Sequence, residues 1–117
     1  MEISVTQAEE VREKNTSCIF LDVREDEEVA FCQISNALHI PLAELPNRFH
    51  ALPNDQTIIV YCHHGMRSLQ AVQFLRSKGL NNAINLKGGI HAWSTTIDPH
   101  IPTCLLYTSP SPRDALE

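Results

Sequence analysis

The sequence predicts a single α/β domain in which a mostly parallel central sheet is flanked by helices. Three short runs, at 18–23, 57–61 and 83–86, are almost continuously apolar, as expected of parallel strands that are buried on both faces. Segments with helical patterning separate these runs, and this alternation is typical of α/β folds. A chain of 117 residues is long enough for one hydrophobic core but not for two.

The N-terminal part is predicted to contain a short strand and two helices. The strand covers 3–5, and Thr6 with Glu9 has the pattern of a capping box at the start of a helix. That helix should continue to about Lys14. The charged segment 24–31, which follows the first apolar run, is also expected to be helical.

The central part is predicted to be less regular. A short strand within 36–41 should end at Pro41, because proline cannot donate a backbone hydrogen bond to a sheet. The segment 42–52 is expected to be helical and to be broken by Pro46, and 53–55 has the composition of a turn.

The best-defined unit begins with the strand at 57–61. We expect it to be followed by a loop at 62–67 and a helix at 68–78 with an apolar stripe, and Gly79 is placed for a left-handed C-terminal cap. A last strand at 83–86 should lead into a short helix that ends near Trp93.

Composition and charge narrow the function classes. The net charge is −5 and the nine Lys and Arg residues are scattered, whereas a nucleic-acid site needs a basic stripe. No apolar run approaches the roughly 20 residues that span a bilayer, and the N-terminus lacks the basic region of a secretory signal. The four cysteines have neither CxxC spacing nor the density of a disulfide scaffold. We therefore expect a cytoplasmic protein with no nucleic-acid or membrane partner.

The segment 104–117 differs from the rest of the chain. From Cys104 to Asp114 it matches the translation of a widely used transposase sequencing adapter at every codon. Our hypothesis is that the domain covers 1–103 and that 104–117 is a non-native tail from assembly read-through. The alternative is a disordered Ser/Pro-rich tail. Resequencing across codon 104 would decide between them.

The residues that carry chemistry form a strand-to-helix turn headed by a cysteine. Backbone N–H groups and the positive end of a helix dipole favour the thiolate of such a cysteine, which is its nucleophilic form. Cys18 and Cys32 have no such setting and are interpreted as small buried hydrophobes. The turn consists of Cys62, His63, His64, Gly65, Met66, Arg67 and Ser68.

The other residues of this turn allow more than one interpretation. Arg67 can hold backbone carbonyls or meet an anionic substrate, or it can be a solvated arginine at the start of a helix. Gly65 is expected to turn backbone amides inward, and His63 and His64 can orient a substrate, contribute charge or be exposed loop residues. Adjacent residues rarely point at one metal and no fourth ligand is evident, so no metal is expected at Cys62, His63 and His64.

The motifs together resemble those of the rhodanese-like sulfurtransferases in their single-domain form. The resemblance covers roughly 3–102. One departure is the segment 32–36, which reads Cys-Gln-Ile-Ser-Asn where many relatives have Gly-His-Ile-Pro-Gly. The matching segments are Leu21-Asp22-Val23-Arg24, Asn36-Ala37-Leu38-His39-Ile40-Pro41, Tyr61 to Ser68, and Gly88-Gly89-Ile90-His91-Ala92-Trp93.

This resemblance implies a rhodanese-like fold and sulfur transfer through a persulfide on Cys62, with the residues from His63 to Ser68 binding the substrate. Asp22 and Arg24 would then support the site, the alternative being a surface ion pair. The implied partners are a small anionic sulfur donor such as thiosulfate and a thiol or cyanide acceptor, including a protein thiol. No metal or organic cofactor is required.

Two other classes remain open. One is a non-enzymatic module of the same fold that carries sulfur or docks a partner. The other is a cysteine phosphatase or arsenate reductase. The phosphatase pattern has five residues between the cysteine and the arginine, whereas four separate Cys62 from Arg67.

Overall fold

In the computed structural model, which describes residues 2–14 and 17–101, one parallel sheet forms the centre of the domain. Its order is β1-β5-β4-β2-β3, so the strand before the cysteine turn lies in the middle. The predicted α/β class is confirmed. The strands are β1 Glu2–Ile3, β2 Cys18–Asp22, β3 Leu38–His39, β4 Thr57–Tyr61 and β5 Ala83–Leu86.

Helices connect the strands and cover both faces of the sheet. Within the described residues, α3 is a single turn between two short 3₁₀ turns, at Leu42–Glu44 and Phe49–Ala51. The α-helices are α1 Val5–Lys14, α2 Asp26–Phe31, α3 Leu45–Arg48, α4 Met66–Ser77 and α5 Gly89–Thr96.

The first helix begins earlier than the sequence predicted. The Ser4 hydroxyl accepts the backbone N–H of Gln7 at 3.1 Å, and the Gln7 side chain accepts the N–H of Ser4 at 3.1 Å. The capping box is therefore Ser4 with Gln7, and the prediction for Thr6 with Glu9 was wrong. Starting the helix at Val5 places Val5 and Ala8 in the core, and this burial selects one of two overlapping capping patterns.

Pro46 was predicted to break a helix, but it does not do so. It lies in the first turn of α3, where its missing N–H has no helical partner to lose.

Two other helices have bounds that differ from the prediction. The helix α2 begins at Asp26, two residues later than expected, because Arg24 turns inward to bind Asp22. The helix α5 continues beyond Trp93 to Thr96.

Two turns adopt the left-handed backbone conformation. Gly79, which follows the C-cap Lys78 of α4, has φ +94°, and the N–H of Leu80 donates to the carbonyl of Leu75 at 3.0 Å, which confirms the predicted C-terminal cap. Asn36 has φ 65°, and asparagine tolerates this region better than most residues.

The two faces of β4 belong to two different cores. Ile58, Val60 and Cys62 pack with α4 on one face. Ile59 and Tyr61 pack on the other face with residues of α1 and α5. This alternation follows from the period of two along a strand, and it fixes the start of the cysteine turn in a rigid layer.

Some predictions fall outside the described residues. These are the end of the predicted domain at 102–103 and the predicted tail at 104–117, including Cys104. Among the helices that are described, none combines the length and the apolar character needed to cross a bilayer.

Candidate active site

The cysteine turn joins the end of β4 to the start of α4. Gly65 is the residue before α4 and has φ +105°, a conformation that residues with a side chain rarely adopt. The helix therefore begins at Met66 and not at the predicted 68. As a result, Arg67 and Ser68 lie in the first helical turn, where backbone N–H groups have no partner within the helix.

The sulfur of Cys62 accepts hydrogen bonds from this turn. Cys62 is 2% exposed, and its Sγ lies 3.1 Å from the backbone nitrogen of Gly65 and 3.4 Å from that of Ser68. The Ser68 hydroxyl oxygen is also 3.4 Å from Sγ. These donors and the dipole of α4 stabilise negative charge on the sulfur.

A buried amide lies behind the Ser68 hydroxyl. Asn85, in β5, has its Oδ1 2.5 Å from the Ser68 oxygen, and its Nδ2 donates to the carbonyl of Gly65 at 3.3 Å and to Glu2 at 2.9 Å. The hydroxyl has one hydrogen, which Asn85 and Cys62 compete to accept. No sequence signal indicates this contact, because Asn85 stands at an ordinary position of a strand.

Arg67 is held by a carboxylate that the sequence analysis did not identify. Its Nη1 and Nη2 donate to the two oxygens of Glu28, in α2, at 2.7 and 2.9 Å. This hydrogen bonding is the largest influence on the pKa of Arg67 and raises it. Burial acts to raise the pKa of Glu28, but the bonds from Arg67 and other contacts outweigh it and the pKa is lowered. Arg67 is therefore not a solvated arginine. Its two terminal nitrogens bind the Glu28 carboxylate and not the loop carbonyls.

Asp22 and Arg24 form a buried ion pair and not a surface pair. Their side chains are 1% and 2% exposed, and Nη2 of Arg24 lies 2.7 Å from Oδ2 of Asp22. Nη2 of Arg24 also donates to the carbonyl of Cys32 at 2.6 Å. Burial acts to lower the pKa of Arg24, but Asp22 outweighs this effect and the pKa is raised. The pair fixes the end of β2 beside Tyr61, the last residue of β4.

Histidines form one wall of the turn. The rings of His63 and His64 lie 4.3 Å apart between centroids, and His91 of α5 lies 4.9 Å from His64. Burial, followed by the charges of His64 and His91, lowers the pKa of His63 to about 4. Burial and the charges of His91 and Arg67 also lower the pKa of His64. The rings of His63 and His64 are therefore neutral at neutral pH. Met66, also predicted to bind substrate, is 73% exposed.

The start of α5 lies directly against the turn. The backbone N–H groups of Ile90 and His91 donate to the carbonyls of Cys62 and His63 at 2.9 and 3.0 Å. A Cβ on Gly89 would collide with the same two carbonyl oxygens. The lack of a side chain at Gly89 therefore permits this close contact.

Cys18 and Cys32 lie away from the sulfur-binding turn. They were interpreted as small buried hydrophobes, and both are partly buried. Burial raises the pKa of the Cys18 thiol. The described cysteines are free thiols. The Sγ of Cys32 accepts a long contact from Nη1 of Arg24 at 3.9 Å, whereas the Sγ of Cys62 accepts two backbone N–H groups at 3.1 and 3.4 Å.

Comparison with known proteins agrees with this architecture. The model of the rhodanese-like domain matches residues 4–96, and the chain therefore belongs to the rhodanese-like domain family. A protein of Allochromatium vinosum called a sulfurtransferase is 37% identical over 76 residues, which cover 65% of this chain and 71% of that protein.

Two solved structures are also similar. A rhodanese-related protein from Thermoplasma volcanium is 36% identical with a TM-score of 0.72, covering 89% of this chain and 97% of that one. The human single-domain sulfurtransferase TSTD1 is 31% identical with a TM-score of 0.72, covering 81% of this chain and 96% of that one. The resemblance inferred from the four sequence motifs is confirmed.

Proposed function

We propose that this chain is a sulfurtransferase that moves sulfane sulfur from a donor such as thiosulfate to a thiophilic acceptor through a persulfide on Cys62. The observation that carries the proposal is the position of Sγ, 3.1 Å from the Gly65 amide and 3.4 Å from the Ser68 amide. A sulfur held in this way is stabilised as an anion. Membership of the rhodanese-like family and the names of the relatives support a sulfur-transfer role.

In the first step, the Cys62 thiolate attacks the outer sulfur of thiosulfate. A new bond forms between the two sulfur atoms, the sulfur–sulfur bond of thiosulfate breaks, and sulfite leaves with the electron pair. The product is a Cys62 persulfide anion, and the same donors that stabilise the thiolate remain available to it.

In the second step, an acceptor takes the terminal sulfur. A thiolate forms a persulfide of its own, or cyanide forms thiocyanate, and the electron pair of the broken bond returns to Cys62 as the thiolate. The cycle is complete without a metal or an organic cofactor, and it has the ping-pong form of covalent catalysis.

Arg67 is proposed to attract the anionic donor, and the carboxylate of Glu28, which binds the same guanidinium, to oppose that attraction with its own negative charge. Thiosulfate carries two negative charges, and a guanidinium in partly buried surroundings attracts it more strongly than in water. His63, His64 and Met66 are proposed to line the approach, and Asp22 with Arg24 to hold the neighbouring strand end. The proposed setting is the reducing cytoplasm, where the thiolate is maintained, and the proposed domain covers 1–103.

The decisive experiment is mass spectrometry of the purified protein after incubation with thiosulfate. We expect the Cys62 peptide to gain one sulfur atom, whereas a partner-docking module would gain none. Addition of cyanide should remove the sulfur with a rate that matches turnover, and a stable persulfide that cyanide leaves intact would favour a carrier instead.

A set of cysteine variants provides the matched control. Thiocyanate formation should disappear in Cys62→Ser and persist in Cys18→Ser and Cys32→Ser, because the hydrogen-bonded turn surrounds only Cys62 among the described cysteines. Undiminished turnover in Cys62→Ser would overturn the proposed mechanism.

A further inference from the structure

Three histidines from two parts of the chain converge beside the cysteine turn. One potential ligand nitrogen from each of His63, His64 and His91 lies within 4.8 Å of the other two. The sequence analysis considered only Cys62 with His63 and His64, and it expected no metal because no further ligand was evident. The tertiary structure supplies His91 from the first turn of α5.

A second observation at the same place concerns the ring of His91. Its Nδ1 atom is buried and has no hydrogen-bond partner among the described residues. Leaving a buried polar nitrogen unsatisfied costs about 1–3 kcal/mol, and native structures rarely keep such an atom without a reason. A ligand that accepts an imidazole lone pair would remove this cost.

We propose that His63, His64 and His91 form a binding site for a divalent transition-metal ion of the zinc class. Imidazole nitrogen is a preferred ligand of Zn²⁺, and three protein ligands with one open position are a common zinc arrangement. The open position would be taken by water or another small ligand. The site is separate from the sulfur-binding donors of Gly65 and Ser68.

The backbone prepares two of the three ligands for this role. The N–H of His91 donates to the carbonyl of His63 at 3.0 Å, and the adjacent Ile90 is bonded to Cys62 at 2.9 Å. These bonds fix His63 and His91 relative to each other, which reduces the entropy lost on binding. Tetrahedral bonds of about 2.0–2.1 Å to zinc place nitrogens roughly 3.3 Å apart. The exposed ring of His64 is free to make most of the inward movement.

The local charges are compatible with a bound cation. Arg67 is close enough to His64 to lower its pKa. Its charge is compensated by the two hydrogen bonds to Glu28, at 2.7 and 2.9 Å. The overall net charge of −5 also favours cation binding over anion binding at long range.

The test is a direct measurement of metal binding to the untagged full-length protein at pH 7.5. Zn²⁺ affinity is measured by competition with a chromophoric chelator, and Co²⁺ absorption reports the coordination geometry. We expect one equivalent to bind. Loss of a hydrogen-bond partner of a metal ligand typically lowers metal affinity by about tenfold to hundredfold, and loss of the ligand itself should cost at least as much. His64→Ala and His91→Ala should therefore weaken Zn²⁺ binding by roughly tenfold or more.

Two control variants test whether Zn²⁺ binds at these three histidines and not elsewhere on the chain. His100→Ala, which removes an exposed histidine elsewhere, and Cys62→Ser should bind Zn²⁺ like the wild type. Because His64 is exposed, His64→Ala gives an answer even if His91→Ala fails to fold. Wild-type affinity in His64→Ala, or loss of binding in Cys62→Ser, would overturn the proposal. The readout does not depend on sulfur transfer, so the two proposals fail independently.

Discussion

Arg67 and Glu28 are joined by a two-pronged ion pair, with N–O distances of 2.7 and 2.9 Å, although 38 residues separate them along the chain. The side chains are 35% and 19% exposed, so the pair is neither fully solvated nor fully buried. It links the start of α4 to α2. Under the proposed function, the two charges act in opposite directions on an anionic donor.

Removal of Arg67 should weaken the use of thiosulfate. A hydrogen bond to a charged group contributes about 1.5–3 kcal/mol, so Arg67→Ala should lower kcat/KM by roughly tenfold or more, mainly through KM. Steady-state kinetics with varied thiosulfate measure the effect. Arg48→Ala is the matched control, because Arg48 pairs with Glu44 on the surface with side chains 50% and 54% exposed. Equal kinetics in both variants would show that Arg67 does not contact the donor.

Glu28→Gln should affect the KM for thiosulfate in the direction opposite to Arg67→Ala. It removes a negative charge that repels a dianion and loosens the hold on Arg67, so the KM for thiosulfate should fall. The same kinetic assay measures it, with Glu44→Gln as the control. A rise in KM, with unchanged stability, would mean that Glu28 serves chiefly to orient Arg67.

Ser68 and Asn85 should have coupled effects on Cys62. A neutral hydrogen bond contributes about 0.5–1.5 kcal/mol, so Ser68→Ala should slow persulfide formation by roughly twofold to tenfold. Asn85→Ala removes the oxygen that competes with Cys62 for the Ser68 hydrogen at 2.5 Å, so it should leave the rate unchanged or raise it. Single-turnover kinetics with thiosulfate, arranged as a double-mutant cycle, measure the coupling. Full additivity of the two effects would refute this competition.

The Asp22–Arg24 pair should matter for stability. Arg24→Ala leaves a buried carboxylate without its partner, and breaking a buried pair typically costs about 3–5 kcal/mol. Urea unfolding should detect this loss, whereas Arg48→Ala in the exposed pair should change the unfolding free energy by at most about 1 kcal/mol. A cost below that of the surface pair would contradict a supporting role for Arg24.

The unmodified protein should not hydrolyse an aryl phosphate. Four residues separate Cys62 from Arg67, and the short turn fits one sulfur better than a tetrahedral phosphate with three liganded oxygens. Insertion of one residue between Gly65 and Arg67 should lower sulfur transfer, because it displaces the Gly65 amide that lies 3.1 Å from Sγ. Cys62-dependent phosphatase activity in the wild type would favour the alternative class.

The sequence by itself determined the strand, turn and helix around Cys62. The apolar run of β4, the glycine at 65 and the apolar stripe of α4 are local signals, and local signals remain readable without the fold. The bounds of α4 were displaced by two residues at its start and by one at its end. The bounds of β4 and β5 were predicted correctly for the same reason.

The tertiary structure alone decided which side chains surround this turn. Glu28, Asn85 and His91 come from three other elements, and no local signal places them beside the cysteine turn. They meet at Cys62 because parallel strands bring their carboxyl ends, and the loops that follow, to one edge of the sheet. The partner of Arg67, the amide behind Ser68 and the third histidine are therefore properties of the assembled sheet, since residues distant in sequence become neighbours only when the core packs.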